Sequence, residues 1–166
     1  MAEKTKRRDL KFQTVDDVIA EAQRLLDSGY QSNGNWNLGQ TCFHLIEWIR
    51  YPMDGFPKPP WFVRTIFGAM KMFGMIEKMK QGILNDGFKP GTPTAPDTVA
   101  QPDALSDAEG VQQLAAIIER MKNHTAELYP SPLFGVMDNE TWHTVTLRHC
   151  EHHLGFLEPK THEQVG

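Results

Sequence analysis

The stretch Thr141-Trp-His-Thr-Val-Thr-Leu-Arg-His149-Cys-Glu-His152-His153-Leu-Gly-Phe156 decides how the rest of the chain is read. Asp138 or Asn139 precedes it as a helix cap and Glu140 sits in the first turn, where a carboxylate complements the positive helix end. At 3.6 residues per turn, Trp142, Val145, His149, His153 and Phe156 share one face, and Pro159 is expected to close the helix. His149 and His153 stand four residues apart, so their imidazoles point the same way, one turn apart. That is bidentate metal geometry. Two histidines do not complete a first-row metal site, so a third ligand has to come from elsewhere in the chain.

The best source lies upstream. Asn37-Leu-Gly-Gln40 begins a helix with a side-chain acceptor at the cap and a glutamine three residues on, and Pro52 limits it at about Tyr51. Leu38, Cys42, Leu45, Ile49 and Met53 form its apolar stripe, while Thr41, His44, Trp48 and Tyr51 lie on an adjoining edge. His44 is the candidate third ligand. Its place beside the stripe puts it where the helices open towards solvent.

Two further helices flank this pair. Thr14-Val-Asp-Asp17 starts one that carries Val15, Val18, Ile19, Ala22, Leu25 and Leu26 at helical spacing and stops at Gly29. Ser106-Asp-Ala-Glu109 is a capping-box pattern ahead of Val111, Leu114, Ala115, Ile118, Met121 and Leu128, a period that predicts helix to about Leu128. Between the second and third helices, Phe56-Pro-Lys-Pro-Pro60 is a stiff break. Trp61 to about Leu84 then reads as one helix or two short pieces, weakened by Gly68 and Gly74. Asn85 to Asp103 has the Gly, Pro, Thr and Asp content of a surface loop, and Tyr129–Gly135 is a turn-rich connection. No strand or internal repeat is evident. The expectation is an all-α protein: an antiparallel four-helix bundle with a helical insertion at about 56–88, a single domain over 1–166 with its core at about 14–158.

Composition agrees. At 166 residues, 40% hydrophobic and 23% charged, the chain can bury one core without staples, and a net charge of −4 argues against nucleic-acid binding. No apolar run reaches the roughly 20 residues of a spanning helix. Two cysteines, Cys42 and Cys150, in no CxxC pattern, and a basic start with no apolar region behind it make the cytoplasm the default location.

The order Trp36-Asn-Leu-Gly-Gln-Thr-Cys-Phe-His44-Leu, Phe134-Gly135, Glu140-Thr-Trp142 and His149-Cys-Glu-His152-His153-Leu154 resembles the DUF1569 branch of the DinB/YfiT-like superfamily, from about Val15 to Leu157. The resemblance implies a four-helix bundle holding a divalent metal through His44, His149 and His153. It also implies kinship with metal-dependent thiol S-transferases that use low-molecular-weight thiols, DUF1569 itself being a family of unknown function. The family pattern often has Arg and Gln after the last histidine. Here Gly155 and Phe156 stand instead, which makes the cleft less polar.

Three neutral imidazoles leave coordination positions open, the arrangement of a catalytic site, and an ion so held lowers the pKa of bound water or thiol. Zinc fits best by ligand type, with nickel, iron, cobalt or manganese as alternatives. The leading expectation is therefore a metal-dependent thiol S-transferase acting on a small-molecule electrophile. The rival is a non-catalytic module whose metal ties two helices or is vestigial, self-associating as a homodimer through the Met-rich insertion; a hydrolase ranks third for want of a clear general base.

The neighbouring polar residues have quieter readings. His152, about 60° from His149 on the wheel, is expected beside a ligand or exposed. Glu47 and Glu151 could orient a ligand's second nitrogen, but solvated helix-face carboxylates are the preferred reading. Cys42 and Cys150 read as small core residues, and His124, His143 and His162 as surface histidines. The Met-rich Trp61–Leu84 segment, with Arg64, Lys71 and Lys78 opposite its apolar face, is a lid, a dimer or membrane-surface helix, or most simply core or oligomer packing.

Overall fold

The computed structural model describes residues 6–89, 98–101 and 104–160. They form α1 (Val15–Ser28), β1 (Tyr30–Ser32), α2 (Leu38–Asp54), α3 (Trp61–Met72), α4 (Met75–Asp86), α5 (Asp107–Lys122), α6 (Asn139–Leu154) and β2 (Leu157–Pro159). The protein is mostly helical, with one small two-stranded antiparallel sheet. No helix among the described residues is long and apolar enough to cross a membrane.

The helix starts follow from side-chain caps. The Asp17 carboxylate accepts from Gln13 N and Thr14 N, both at 2.8 Å. Asn37 Oδ1 accepts from Gln40 N at 2.7 Å while Gln40 Oε1 accepts from Asn37 N, and Ser106 and Glu109 make the same reciprocal pair. Asp138 is the cap of α6, accepting from Thr141 N at 2.7 Å.

The main core cluster is drawn from α1, α2, α5, α6 and β2, with Leu25, Leu45, Ile49, Leu114, Ile118 and Leu154 buried, each contributing about 1.5–3 kcal/mol of burial free energy, and a smaller cluster holds Ile76, Ile83, Phe134 and Val145. Cys42 and Cys150 belong to it as free, fully buried thiols, as expected of small core residues. The most extensive helix pairing joins α2 to α5. At its crossing Gly39 and Gly110 touch: a methyl group on Gly110 would sit 3.2 Å from Gly39 Cα, and one on Gly39 only 2.3 Å from the Leu105 carbonyl oxygen. Asp107, in the first turn of α5, accepts from Gly39 N at 2.8 Å and from Tyr30 Oη at 2.9 Å, while Tyr30 Oη accepts from Leu38 N.

Several expected boundaries shift. The strands were not legible: three residues are too few to display alternation, and Tyr30–Ser32 pairs with Leu157–Pro159 from the far end of the chain. Pro52 does not stop α2, which runs on to Asp54; in the last turn proline forfeits one intrahelical bond, and Gly55 N still reaches Tyr51 O at 2.8 Å. The α5 helix ends at Lys122, not near Leu128, because the Asn123 side chain donates to the Glu119 carbonyl; Leu128 packs on the core from the following turn. The α6 helix ends at Leu154, before Pro159, where the chain turns into β2.

The Trp61–Leu84 segment is two helices, broken at Gly74, whose φ of 68° only glycine adopts without cost. The core takes only part of its apolar face, Met70 packing against a small second cluster that holds Ile76 and Ile83. Ile76 and Ile83 of α4 are buried, but no α3 residue is, and Trp61, Phe62, Ile66, Met72 and Phe73 are exposed, Trp61 at 78%. Of the loop expected over Asn85–Asp103, the first two residues belong to α4, 87–89 and 98–101 are largely irregular, and the rest lies outside the described residues.

Gly39→Ala should therefore destabilise the protein by about 1–3 kcal/mol in urea titration, although alanine favours a helix over glycine by about 1 kcal/mol. An unchanged midpoint would mean that the α2–α5 contact yields without strain.

Candidate metal centre

The α2 helix presents His44 and α6 presents His149 and His153, and the packing of α2 on α6 brings the three rings together. His44 Nε2 lies 3.1 Å from His149 Nε2, which lies 3.1 Å from His153 Nε2. One ligand atom from each of the three falls within 4.8 Å of the others, so this group could hold a metal ion. Two nitrogens bound at about 2.0–2.1 Å in a tetrahedral site are about 3.3–3.4 Å apart, close to the two 3.1 Å contacts that His149 makes.

The hydrogen bonding points the same way. The Thr98 carbonyl, 3.3 Å from His44 Nδ1, can only accept, so that nitrogen carries the proton, with Thr98 Oγ1 also 2.9 Å away. His44 Nε2 is left with a bare lone pair. His149 Nε2 has one proton or one lone pair to offer two neighbours at equal distance, and among the described residues its buried Nδ1 has no partner. A cation held between the three rings would accept lone pairs that the rings cannot satisfy among themselves. The donor set fits a divalent ion.

Burial keeps the rings neutral. Trp36 stacks on His153 with centroids 5.3 Å apart, Trp48 lies 4.2 Å from His149, and Phe88 4.9 Å from it. Desolvation, opposed by the Thr98 bond, lowers the His44 pKa to about 4. Burial first and the neighbouring imidazoles and Arg7 next bring His153 down to about 2, and burial drives His149 well below its ordinary value. Neutral imidazole is the ligating form. Burial pushes the Cys42 thiol up to about 12 and Cys150 further still, which favours the protonated form of both.

His44 is buried, not at an opening, because the segment at Thr98 and the indole of Trp36 cover it. Thr98 and Phe88 were not foreseen, since both flank a stretch with no helical period. His152 is buried beside His153, with ring centroids 4.8 Å apart, and is not exposed. Arg7 donates to its Nδ1 at 2.7 Å and to the Phe88 carbonyl at 3.0 Å. An acceptor at Nδ1 puts the proton on Nε2, so the 3.2 Å approach of Nδ1 to Phe88 O is two acceptors sharing one guanidinium.

Arg7 is the functional neighbour that sequence reasoning missed. The N-terminal arm crosses the end of α6 at Gly155, where Arg8 N donates to Gly155 O at 2.8 Å and a methyl group would meet the Arg8 carbonyl at 2.9 Å. The glycine that was expected to make the cleft less polar thus admits a guanidinium from elsewhere. Glu151 is not solvated either: it is buried, accepting from Phe12 N at 2.7 Å and from Arg148, and so anchors the arm instead of orienting a ligand. Glu47 pairs with Arg50. His124 and His143 are half-buried around Trp142 instead of fully exposed, and His162 lies outside the described residues.

These shifts set a pH dependence for the metal-free protein. The folded pKa of His44, His149, His152 and His153 lies below the unfolded value of about 6.5, so the unfolded chain binds more protons in acid. Stability should be full above pH 6.5 and fall as the pH drops towards 4, each histidine contributing up to ~1.4 kcal/mol per pH unit. Melting temperatures between pH 7.5 and 4.5 should show a decline that His153→Gln makes shallower.

No curated protein and no solved structure matches the chain. A family model described as "Protein of unknown function (DUF1569)" matches residues 4–160. Since that match takes in both histidine-bearing helices and the arm that carries Arg7, the chain belongs to the DUF1569 family.

Proposed function

We propose that His44, His149 and His153 are the protein ligands of one divalent ion, and that the chain is a metal-dependent S-transferase joining a low-molecular-weight thiol to a small electrophile. The observation that carries this reading is the convergence of three neutral, desolvated imidazoles on one point. Zinc suits three imidazoles best, and nickel, iron, cobalt and manganese also accept them. A divalent ion held there would lower the pKa of a thiol or water bound to it.

The chain's own groups do the rest. Thr98 holds His44 in the tautomer that offers Nε2. Trp36, Trp48 and Phe88 exclude water, which strengthens every electrostatic interaction inside. Arg7 supplies a fixed positive charge next to His152, suited to an anionic group on the thiol or on the departing fragment. In the transfer a sulfur–carbon bond forms, the bond from that carbon to its leaving group breaks, and the thiol proton passes to solvent. Hydrolysis is the weaker reading, because the nearby carboxylates are committed: Glu151 to Phe12 N and Arg148, Glu47 to Arg50. The architecture we assign is a single DinB-like domain, with α1, α2, α5 and α6 as an antiparallel four-helix bundle and 56–88 as an insertion.

One observation favours a second reading. The exposed apolar face of α3 suits a non-catalytic module that self-associates while the metal ties α2 to α6. Metal removal separates the two: a tie predicts a large fall in melting temperature and no turnover at any stage, an active site a smaller fall with turnover abolished.

Protein purified without metal and reconstituted with Zn²⁺ should hold close to one ion per chain by elemental analysis. His44→Ala and His149→Ala should reduce this to background, whereas His152→Gln should retain it. No stoichiometric ion in the parent protein, or an unchanged content in His149→Ala, would sink the site. A panel of low-molecular-weight thiols with an electrophilic aryl halide then tests transfer, expected with the metal and lost on chelation.

A further inference from the structure

The histidine cluster does not stand alone. A cavity of about 470 Å³ lies between α3, the proline-rich segment before it, the end of α2 and the turn that leads into α6. Its wall includes Trp48, Val63, Phe67, Leu133, Phe134 and Val145, and among the described residues Lys58 is the only charged one that lines it. Lys58 is exposed, so the interior is apolar. Two lining residues also belong to the metal centre: Trp48, whose ring lies 4.2 Å from that of His149, and Thr98, which bonds His44 Nδ1. Cavity and triad therefore share a wall one side chain thick.

The geometry points to this cavity as the binding chamber for the apolar body of an uncharged aryl or branched-alkyl ligand, seated so that one end abuts the Trp48–Thr98 wall. Size agrees, since small-molecule pockets span about 300–1,000 Å³ and are lined mainly by apolar and aromatic groups with few polar ones. Chemistry agrees as well. Among the described residues no buried charge faces the interior to offset the desolvation of an ionic ligand, so a charged body would lose its hydration uncompensated there. The inference deepens the transferase reading by naming its electrophile as apolar and uncharged, and rests on that reading only for the reaction; the binding itself needs no metal.

The test is fluorescence titration of the full chain with N-phenyl-1-naphthylamine, an uncharged arylamine that brightens in apolar surroundings. Saturable uptake of one probe per chain is expected, with and without Zn²⁺. Val63→Trp, which fills the chamber from the half-buried side of α3, should weaken it at least tenfold, with Leu133→Trp as the second filling variant should the first not fold. Ile66→Ser, on the outward side of α3, should leave it unchanged. His44→Ala should keep probe uptake while losing metal, so failure of the metal reading is separable from failure of this one. Uptake that survives both filling variants, or that Ile66→Ser abolishes, would place the probe on the outer face of α3 and overturn the inference.

Discussion

The close crossing of α2 and α5 is the constraint on which the rest depends. Gly39 and Gly110 let the two backbones approach to a distance that any side chain would prevent, and Asp107 locks the register by accepting from both Gly39 N and Tyr30 Oη. Once α2 is fixed in rotation, its stripe of Leu38, Cys42, Leu45 and Ile49 faces the core. The adjoining edge, with His44 and Trp48, is then turned towards α6. A rotation by one residue, about 100°, would carry His44 away from the other two rings.

The second constraint is desolvation. Three imidazoles within contact distance, walled by two indoles and a phenyl ring, do not tolerate protonation, and their lone pairs cannot all be satisfied by one another. Such an arrangement is costly as plain core packing and appropriate for a cation. The N-terminal arm completes it from outside: Arg8 pairs with the buried Glu21 at 2.6 Å and donates to Leu154 O, Glu151 holds Phe12 N, and Arg7 is thereby delivered to His152. The arm acts as a clasp across the end of α6, and Gly155 is the notch in which it lies.

Much of this was legible from residue order. Caps at Asn37, Ser106 and Asp138 rest on local side-chain chemistry, and they begin helices where expected. The i, i+4 spacing of His149 and His153 is a property of helical geometry alone. Boundaries at Asp54, Lys122 and Leu154 were less legible because each depends on a partner distant in sequence or on a side-chain bond that competes with the helix. The placing of α3 was left open for another reason: its apolar period is real, but periodicity does not state whether a face meets the core or solvent.

The sequence by itself determined the helical segments, the two buried thiols, and three histidines at positions able to converge, because caps, helical period and i, i+4 spacing act within a few residues. Only the tertiary structure decided that His44 is enclosed, that Thr98 sets its tautomer, that Arg7 stands at His152, and that an apolar chamber lies behind Trp48. Those facts join residues from opposite ends of the chain. They follow from which helix faces meet, a many-body packing outcome that no local pattern encodes.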